Sequence, residues 1–176
     1  MKSHDSESRV NLLINFGPLK KGGGQNVALN FIYELTRSNQ TVFNLYFVVC
    51  ENSAIHSTIS DTVWSENIIT VSENPIKRIF QELTKVNKYI KRNDIEIVFT
   101  YFGFAFITNK VKQVIGSADS NLYFPEVDFW SHYRGTARLK KWIVDSYRIY
   151  GLKHASAVIY ENQELENRAK ELYHLK

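Results

Sequence analysis

Apolar residues fall in short clustered runs separated by longer stretches of helical periodicity. Runs of Val, Ile, Leu and Phe occupy residues 10–16, 42–50, 68–71, 95–101, 121–124 and 157–160. Several of them are continuous rather than alternating, the mark of strands covered on both faces. Between Pro75 and Arg92, Ile76, Ile79, Phe80, Leu83, Val86 and Ile90 recur three or four apart, which predicts one amphipathic helix. Asn74 is placed as its N-cap, Pro75 as its first residue and Asn93 as its closing residue. Leu139, Trp142, Ile143, Ser146 and Tyr150 form a second stripe that Gly151 is expected to end, and 162–172 reads as a shorter polar helix. Both apolar stripes are expected in the core.

Strands alternating with helices predict an α/β fold: a Rossmann-like, doubly wound, mostly parallel sheet with helices on both faces. Ligands of such folds lie beyond the carboxyl ends of the strands, where the strand order reverses. Three loops are expected in that crevice: 17–24, 101–104 and 125–134.

The first loop opens a helix with Gly22-Gly23-Gly24-Gln25-Asn26-Val27-Ala28-Leu29-Asn30. Glycines let the backbone approach a ligand closely, and the first N–H groups of a helix are unpaired and point at an anion. A triphosphate loop is excluded, because Gly23 and Gly24 stand where its Lys and Ser/Thr belong. A dinucleotide fingerprint is weakened by Val27 in the place of its third glycine, although Glu51 follows the second apolar run as a ribose-binding acid would. A flexible turn before an amphipathic helix remains the plain alternative.

The chain has 176 residues, a single domain's worth, with residues 1–8 polar and expected to fray and 9–176 expected to form one unit. No apolar run is long enough for a membrane span, and the start does not read as a signal peptide. The single cysteine, Cys50, is expected to be a buried, inert thiol. These features make the cytoplasm the expected compartment. Net charge is +4 and unevenly spread. Lys77, Arg78, Lys85, Lys88, Lys91 and Arg92 oppose only Glu82 in one segment; Arg134, Arg138, Lys140, Lys141, Arg148 and Lys153 oppose only Asp145 in another. A solvated helix face explains this, and so does a surface for anionic membrane, peripherally at its inner side. No nucleic-acid motif accompanies the charge.

The third loop carries the most ionisable groups, in Pro125-Glu126-Val127-Asp128-Phe129-Trp130-Ser131-His132-Tyr133-Arg134. Glu126 and Asp128 can hold a sugar hydroxyl or accept its proton, or else pair with a nearby arginine. Trp130 and Tyr133 can stack on a sugar face or pack. Glu126, Asp128 and His132 lack zinc-ligand spacing, so no metal site is expected. Nothing arranges as a Ser–His–Asp or Cys–His set.

The stretch from Gly22 to Asn30 resembles the G-G-x-x-x-V-A-L-N opening of the first helix in family-four glycosyltransferases of the GT-B type. Asp94-Ile95-Glu96-Ile97-Val98-Phe99-Thr100-Tyr101-Phe102-Gly103 resembles that family's fourth strand and its loop, and His154-Ala155-Ser156-Ala157-Val158-Ile159-Tyr160-Glu161-Asn162 resembles the strand before its domain's last helix. The resemblance implies the N-terminal, acceptor-binding half of a retaining enzyme that moves a sugar from a UDP- or GDP-linked donor, without metal, onto a glycan or lipid-linked acceptor. Surface polysaccharide or glycoconjugate synthesis would be its setting. Gly22, Gly23 and Gly24 would face donor phosphates or the acceptor. Tyr101, Gly103, Asp128, Trp130 and Arg134 would contact the acceptor. The family's histidine after the fifth strand is missing, which makes Glu126 the catalytic candidate. A C-terminal donor domain, on this chain or a partner, would be needed, so these 176 residues alone are expected to be inactive. The alternative is a stand-alone nucleotide- or dinucleotide-binding Rossmann module.

Overall fold

The computed structural model describes residues 9–38, 41–106, 111–127, 129–130 and 132–175; the expected frayed tail, 1–8, lies outside them. Six strands form one wholly parallel sheet in the order β3-β2-β1-β4-β5-β6. They are β1 (Val10–Asn15), β2 (Phe43–Cys50), β3 (Ile68–Val71), β4 (Ile97–Thr100), β5 (Lys112–Ser117) and β6 (Ala157–Tyr160). β1 is central, with Leu12 opposite Leu45 of β2 on one side and Ile97 of β4 on the other. The chain winds outward from β1 to β3, returns to β4, and winds the opposite way to β6. The reversal lies between β1 and β4, so the fold is a Rossmann-like, doubly wound α/β sheet.

Successive residues of a strand point to opposite faces, and the core divides accordingly. On one face, helices α1 (Gly23–Arg37) and α2 (Ala54–Ser60) cover Ile14, Phe16 and Phe47 through Ala28, Ile32, Ile55 and Ile59. On the other, Leu13, Val48 and Val98 meet Val86 and Ile90. A third cluster gathers Ile115 of β5 with Leu122, Tyr123, Leu152, Leu165 and Ala169. These come from α5 (Ser120–Tyr123), α6 (Thr136–His154) and α7 (Gln163–Tyr173). Each fully buried Leu, Ile or Phe contributes roughly 1.5–3 kcal/mol.

The fifth strand is displaced from its expected position. Residues 121–124 lie in and just after the short helix α5, and the strand is Lys112–Ser117 instead. The apolar signal of β5 is only Val114-Ile115, bounded by Gln113 and Gly116, so no run announced it. Leu122 and Tyr123 are apolar because α7 covers them: Tyr173 donates its hydroxyl to Leu122 O (2.6 Å) and Arg168 donates Nε to Tyr123 O (3.2 Å). Gly116 is required where it stands, since a Cβ there would lie 2.1 Å from Tyr101 O.

The helical run from Pro75 forms as expected at both ends. Asn74 Oδ1 accepts from the N–H groups of Ile76 (3.0 Å) and Lys77 (3.2 Å), and the N–H of Asn93 closes on Tyr89 O (3.1 Å). Its middle does not: a π turn at Glu82–Val86 separates α3 (Pro75–Gln81) from α4 (Asn87–Arg92). Thr84 Oγ1 donates to Phe80 O (2.7 Å) and Asn87 Nδ2 to Leu83 O (3.1 Å), so side chains engage carbonyls of the ladder at this turn. One inserted residue rotates the preceding segment by about 100°. Val86 and Ile90 therefore stay in the core, while Ile76, Ile79, Phe80 and Leu83 face solvent. The α6 stripe is also outside: Leu139, Trp142, Ile143 and Tyr150 are exposed, which corrects the expected burial of this stripe and of Ile76, Ile79, Phe80 and Leu83 in the other. Gly151 does not end α6. It lies buried against Ala105, whose Cβ would be 3.1 Å from an added one, and the helix runs on to His154. No helix among the described residues is long and apolar enough to cross a membrane.

Candidate functional site

The glycine loop is set by the end of β1. Asn15 is buried, and its Oδ1 accepts from Gly17 N at 2.9 Å, turning the chain away from the sheet. Leu19 N closes the turn on Phe16 O (2.9 Å). Gly22 then takes φ +76°, a conformation that side chains strain, and stands at the N-cap of α1. No side chain caps this end among the described residues, and the first turn carries no acid. The partial positive charge of a 15-residue helix therefore meets the loop unopposed.

A cleft of about 620 Å³ opens there. The glycine loop contributes Pro18, Lys21 and Gly24; the loop after β4 contributes Phe102, Gly103 and Phe104. The ends of β5 and β6 add Asp119 and Glu161, and Arg78 of α3 and Arg148 of α6 complete the lining. Gly103 has φ +129°, and a Cβ on it would lie 3.0 Å from Pro18 Cγ, so the two loops touch. The guanidinium of Arg148 rests 5.2 Å from the centre of the Phe104 ring, with Nη1 3.5 Å from Asp119. Its buried Nε has no hydrogen-bond partner among the described residues. Lys21, Arg78 and Arg148 outnumber Asp119 and Glu161, and the helix end adds to the same sign. An anion is the ligand that this electrostatic arrangement fits.

Arg78 is anchored from behind. Its Nε lies 3.5 Å from Glu82 Oε1, and both side chains are largely buried. Burial pushes the Glu82 carboxyl up to about 7, against the opposing pull of Arg78. Across the gap, Tyr147 of α6 packs on Phe104 (5.2 Å) and donates its hydroxyl to Ala105 O (3.2 Å). Burial, with the neighbouring Glu82 charge, raises that phenol.

The expected site residues divide between this cleft and other places. Gly24 and Gly103 line it, and Gly22 and Gly23 form the cap and first residue of α1. Tyr101 packs in an aromatic cluster with Phe31 (5.1 Å), Phe16 (5.5 Å) and Phe99 (5.6 Å), and burial raises its phenol. Glu126 is outside the cleft lining: both its carboxylate oxygens accept from Arg168 Nη2 of α7, at 2.7 and 2.8 Å. Trp130 stacks near Tyr133 (4.9 Å) beneath Lys141 Nζ (5.5 Å). Both rings line a separate cavity of about 350 Å³ with Phe129, Arg138 and Asp145. Arg134 is exposed, and its carbonyl accepts from Ala137 N (3.3 Å) at the start of α6. Asp128 lies outside the described residues. The structure thus brings the first two expected loops together and gives the third a cavity of its own. Cys50 is buried at the end of β2, and burial pushes its thiol up.

Sequence reasoning missed Arg78 and Arg148, which read there as two more cations on basic helix faces. The spacing of Arg78 four residues before the lone acid Glu82 was the available signal. Asp119 was missed because β5 was placed too late in the chain. Comparison with protein-family models, with curated proteins and with solved structures found no match for this chain.

Proposed function

We propose that this chain is the acceptor-binding, N-terminal half of a retaining glycosyltransferase that takes its sugar from a UDP- or GDP-linked donor. The acceptor is a glycan or a lipid-linked saccharide, in surface polysaccharide or glycoconjugate synthesis, at the inner face of a membrane. One observation carries this reading: at the sheet's reversal point, a glycine-opened helix end meets Lys21, Arg78 and Arg148 in one cleft. In sugar transfer with retention, the departing diphosphate carries the developing charge. Fixed dipoles and cations stabilise it without a protein nucleophile. In this reading Arg148 and the α1 end face a phosphate, Arg78 is held in place by Glu82, and Gly24 and Gly103 keep the entrance free of side chains. Glu126, paired to Arg168, serves packing of the third loop rather than proton transfer. A second domain, on this chain or a partner, completes the donor site, and the 176 residues alone turn over no nucleotide-sugar.

A dinucleotide-binding module is the second reading, favoured by the strand order and by Glu51 immediately after β2. Glu51 is outside the cleft lining, and Val27 keeps the third glycine of that fingerprint absent. Calorimetric titration with UDP, GDP and NAD separates the two. UDP or GDP binding that is lost in Arg148→Gln supports the transferase half. Preferential NAD binding that requires Glu51 overturns it.

A further inference from the structure

The two arginines of the cleft are held by acids in unlike surroundings. Arg148 pairs with Asp119 at 3.5 Å in a partly exposed contact that water screens. Arg78 pairs with Glu82 at 3.5 Å, but their side chains are only 11% and 18% exposed. The start of the π turn fixes Glu82 there, its N–H shared between Arg78 O and Ile79 O. Arg78 is its one ionic partner among the described residues. Arg78 Nε, like Arg148 Nε, is buried without a hydrogen bond among those residues. A buried guanidinium with donors unfilled has room for a further acceptor.

Charge decides when that room is used. Lys21, Arg78 and Arg148 share the cleft lining with Asp119 and Glu161. With Glu82 behind Arg78, acids match cations as long as its carboxyl is ionised, and cations prevail only once it carries a proton. An anion on Arg78 and an ionised Glu82 repel each other across one guanidinium, with little water between to weaken the effect. Burial raises that carboxyl to about 7, so its proton is exchanged near neutrality. The neighbouring Tyr147 phenol of α6, which feels Glu82, takes no such part. Nor does the Cys50 thiol at the end of β2, which feels Arg78 together with Lys20, Glu51 and Glu73. Both are pushed up from values already above neutrality.

We propose that Glu82 is a positioning residue that couples anion binding to a proton: its carboxyl and an arriving phosphate ester compete for the Arg78 guanidinium, and the cleft takes the ester and a proton together. This rests on the anion-binding reading of the cleft given above. With Glu82 protonated, Arg78 turns its charge wholly to the opening. With Glu82 ionised, the same arginine is neutralised from behind, and Arg148 and the α1 end hold the anion alone. Affinity is therefore greatest on the acid side and falls as pH rises through and above about 7.

The test uses the full chain and trimetaphosphate, a cyclic anion that takes up no proton near neutrality, titrated by calorimetry at constant ionic strength. Affinity at about pH 8.5 should be roughly five- to tenfold lower than at about pH 6, as one opposing charge in a partly buried site implies. Between these values binding should take up a proton, read as a heat that scales with the ionisation enthalpy of the buffer. Glu82→Gln, neutral and of the same shape, should bind at both pH values as the wild type does at the lower one, without proton uptake. Should that variant misfold, the infrared difference spectrum of the wild type on binding must show a protonated carboxyl growing at the expense of a carboxylate, a signature that no histidine gives. Equal affinity at the two pH values overturns the proposal and leaves the anion cleft standing. So does a pH dependence with proton uptake that persists in Glu82→Gln. Absence of binding at both pH values overturns the anion cleft itself, and with it both this coupling and the observation that carries the function proposed above.

Discussion

Arg78 and Glu82 sit one helical turn apart with 3.5 Å between Nε and Oε1, and the first π turn residue of the chain is the one that carries the acid. The pair links the sheet's second face to the cleft: Glu82 is packed inward, and Arg78 lines the opening. Because burial outweighs the attraction of Arg78, the carboxyl takes up a proton near neutrality.

The first prediction is a pH dependence of stability. The folded Glu82 titrates at about 7 and the unfolded one at its ordinary 4.5. Folding therefore favours the protonated acid: its contribution is complete below the unfolded value and is lost as pH rises through about 7. Urea melts from pH 4.5 to 8 should fall by on the order of 3 kcal/mol from this group. Glu82→Gln should flatten that decline; an unchanged slope would remove Glu82 as its source.

Arg148→Gln keeps the aliphatic stem and a polar amide while removing the guanidinium over Phe104 and its charge. Binding of inorganic pyrophosphate, followed by calorimetry, should weaken by about ten- to a hundredfold, the value of a charge-assisted contact. The melting temperature should barely move, since the ion pair with Asp119 is partly exposed.

Gly22→Ala separates backbone strain from ligand access. A Cβ at Gly22 meets nothing within 4 Å, but φ +76° is unfavourable for alanine. A stability loss of about 1–2 kcal/mol is expected from the dihedral alone. Pyrophosphate binding should fall further than this loss accounts for, if the loop approaches the anion closely. Equal affinity in the two proteins would detach the loop from the site.

Glu126→Gln tests the ion pair with Arg168. Its carboxylate is 56% exposed, so breaking the two contacts should cost less than about 1 kcal/mol in a urea melt. Anion binding in the cleft should be unaffected.

Gly116→Ala should be the most damaging of these substitutions. The added methyl would lie 2.1 Å from Tyr101 O, a backbone atom with no room to yield between β4 and β5. A loss of roughly 3 kcal/mol or more is expected from overpacking, read as a lowered urea midpoint or insoluble protein.

The sheet was readable because parallel strands covered on both faces leave continuous apolar runs, as at 10–16 and 42–50. β5 escaped notice because Gly116 is there for closeness to Tyr101, and glycine carries no apolar signal. The glycine loop was legible for the same reason that β5 was not: three adjacent glycines before an amphipathic stretch have few structural uses. The burial of the two helical stripes was misjudged because periodicity gives a face but not its partner. Ile76 and Val86 share a stripe in an unbroken helix, and only the turn between them sends one outward. Arg78 depended on the same rotation, and both cleft arginines on long-range placement, which no local pattern encodes.

Pro18 and Gly103 are seated ring against backbone, with 3.0 Å left for any added methyl. That contact latches together the two loops on one side of the cleft, so neither swings without the other. The rest of the cleft wall is made by side chains, among them Arg78 of α3 and Arg148 of α6.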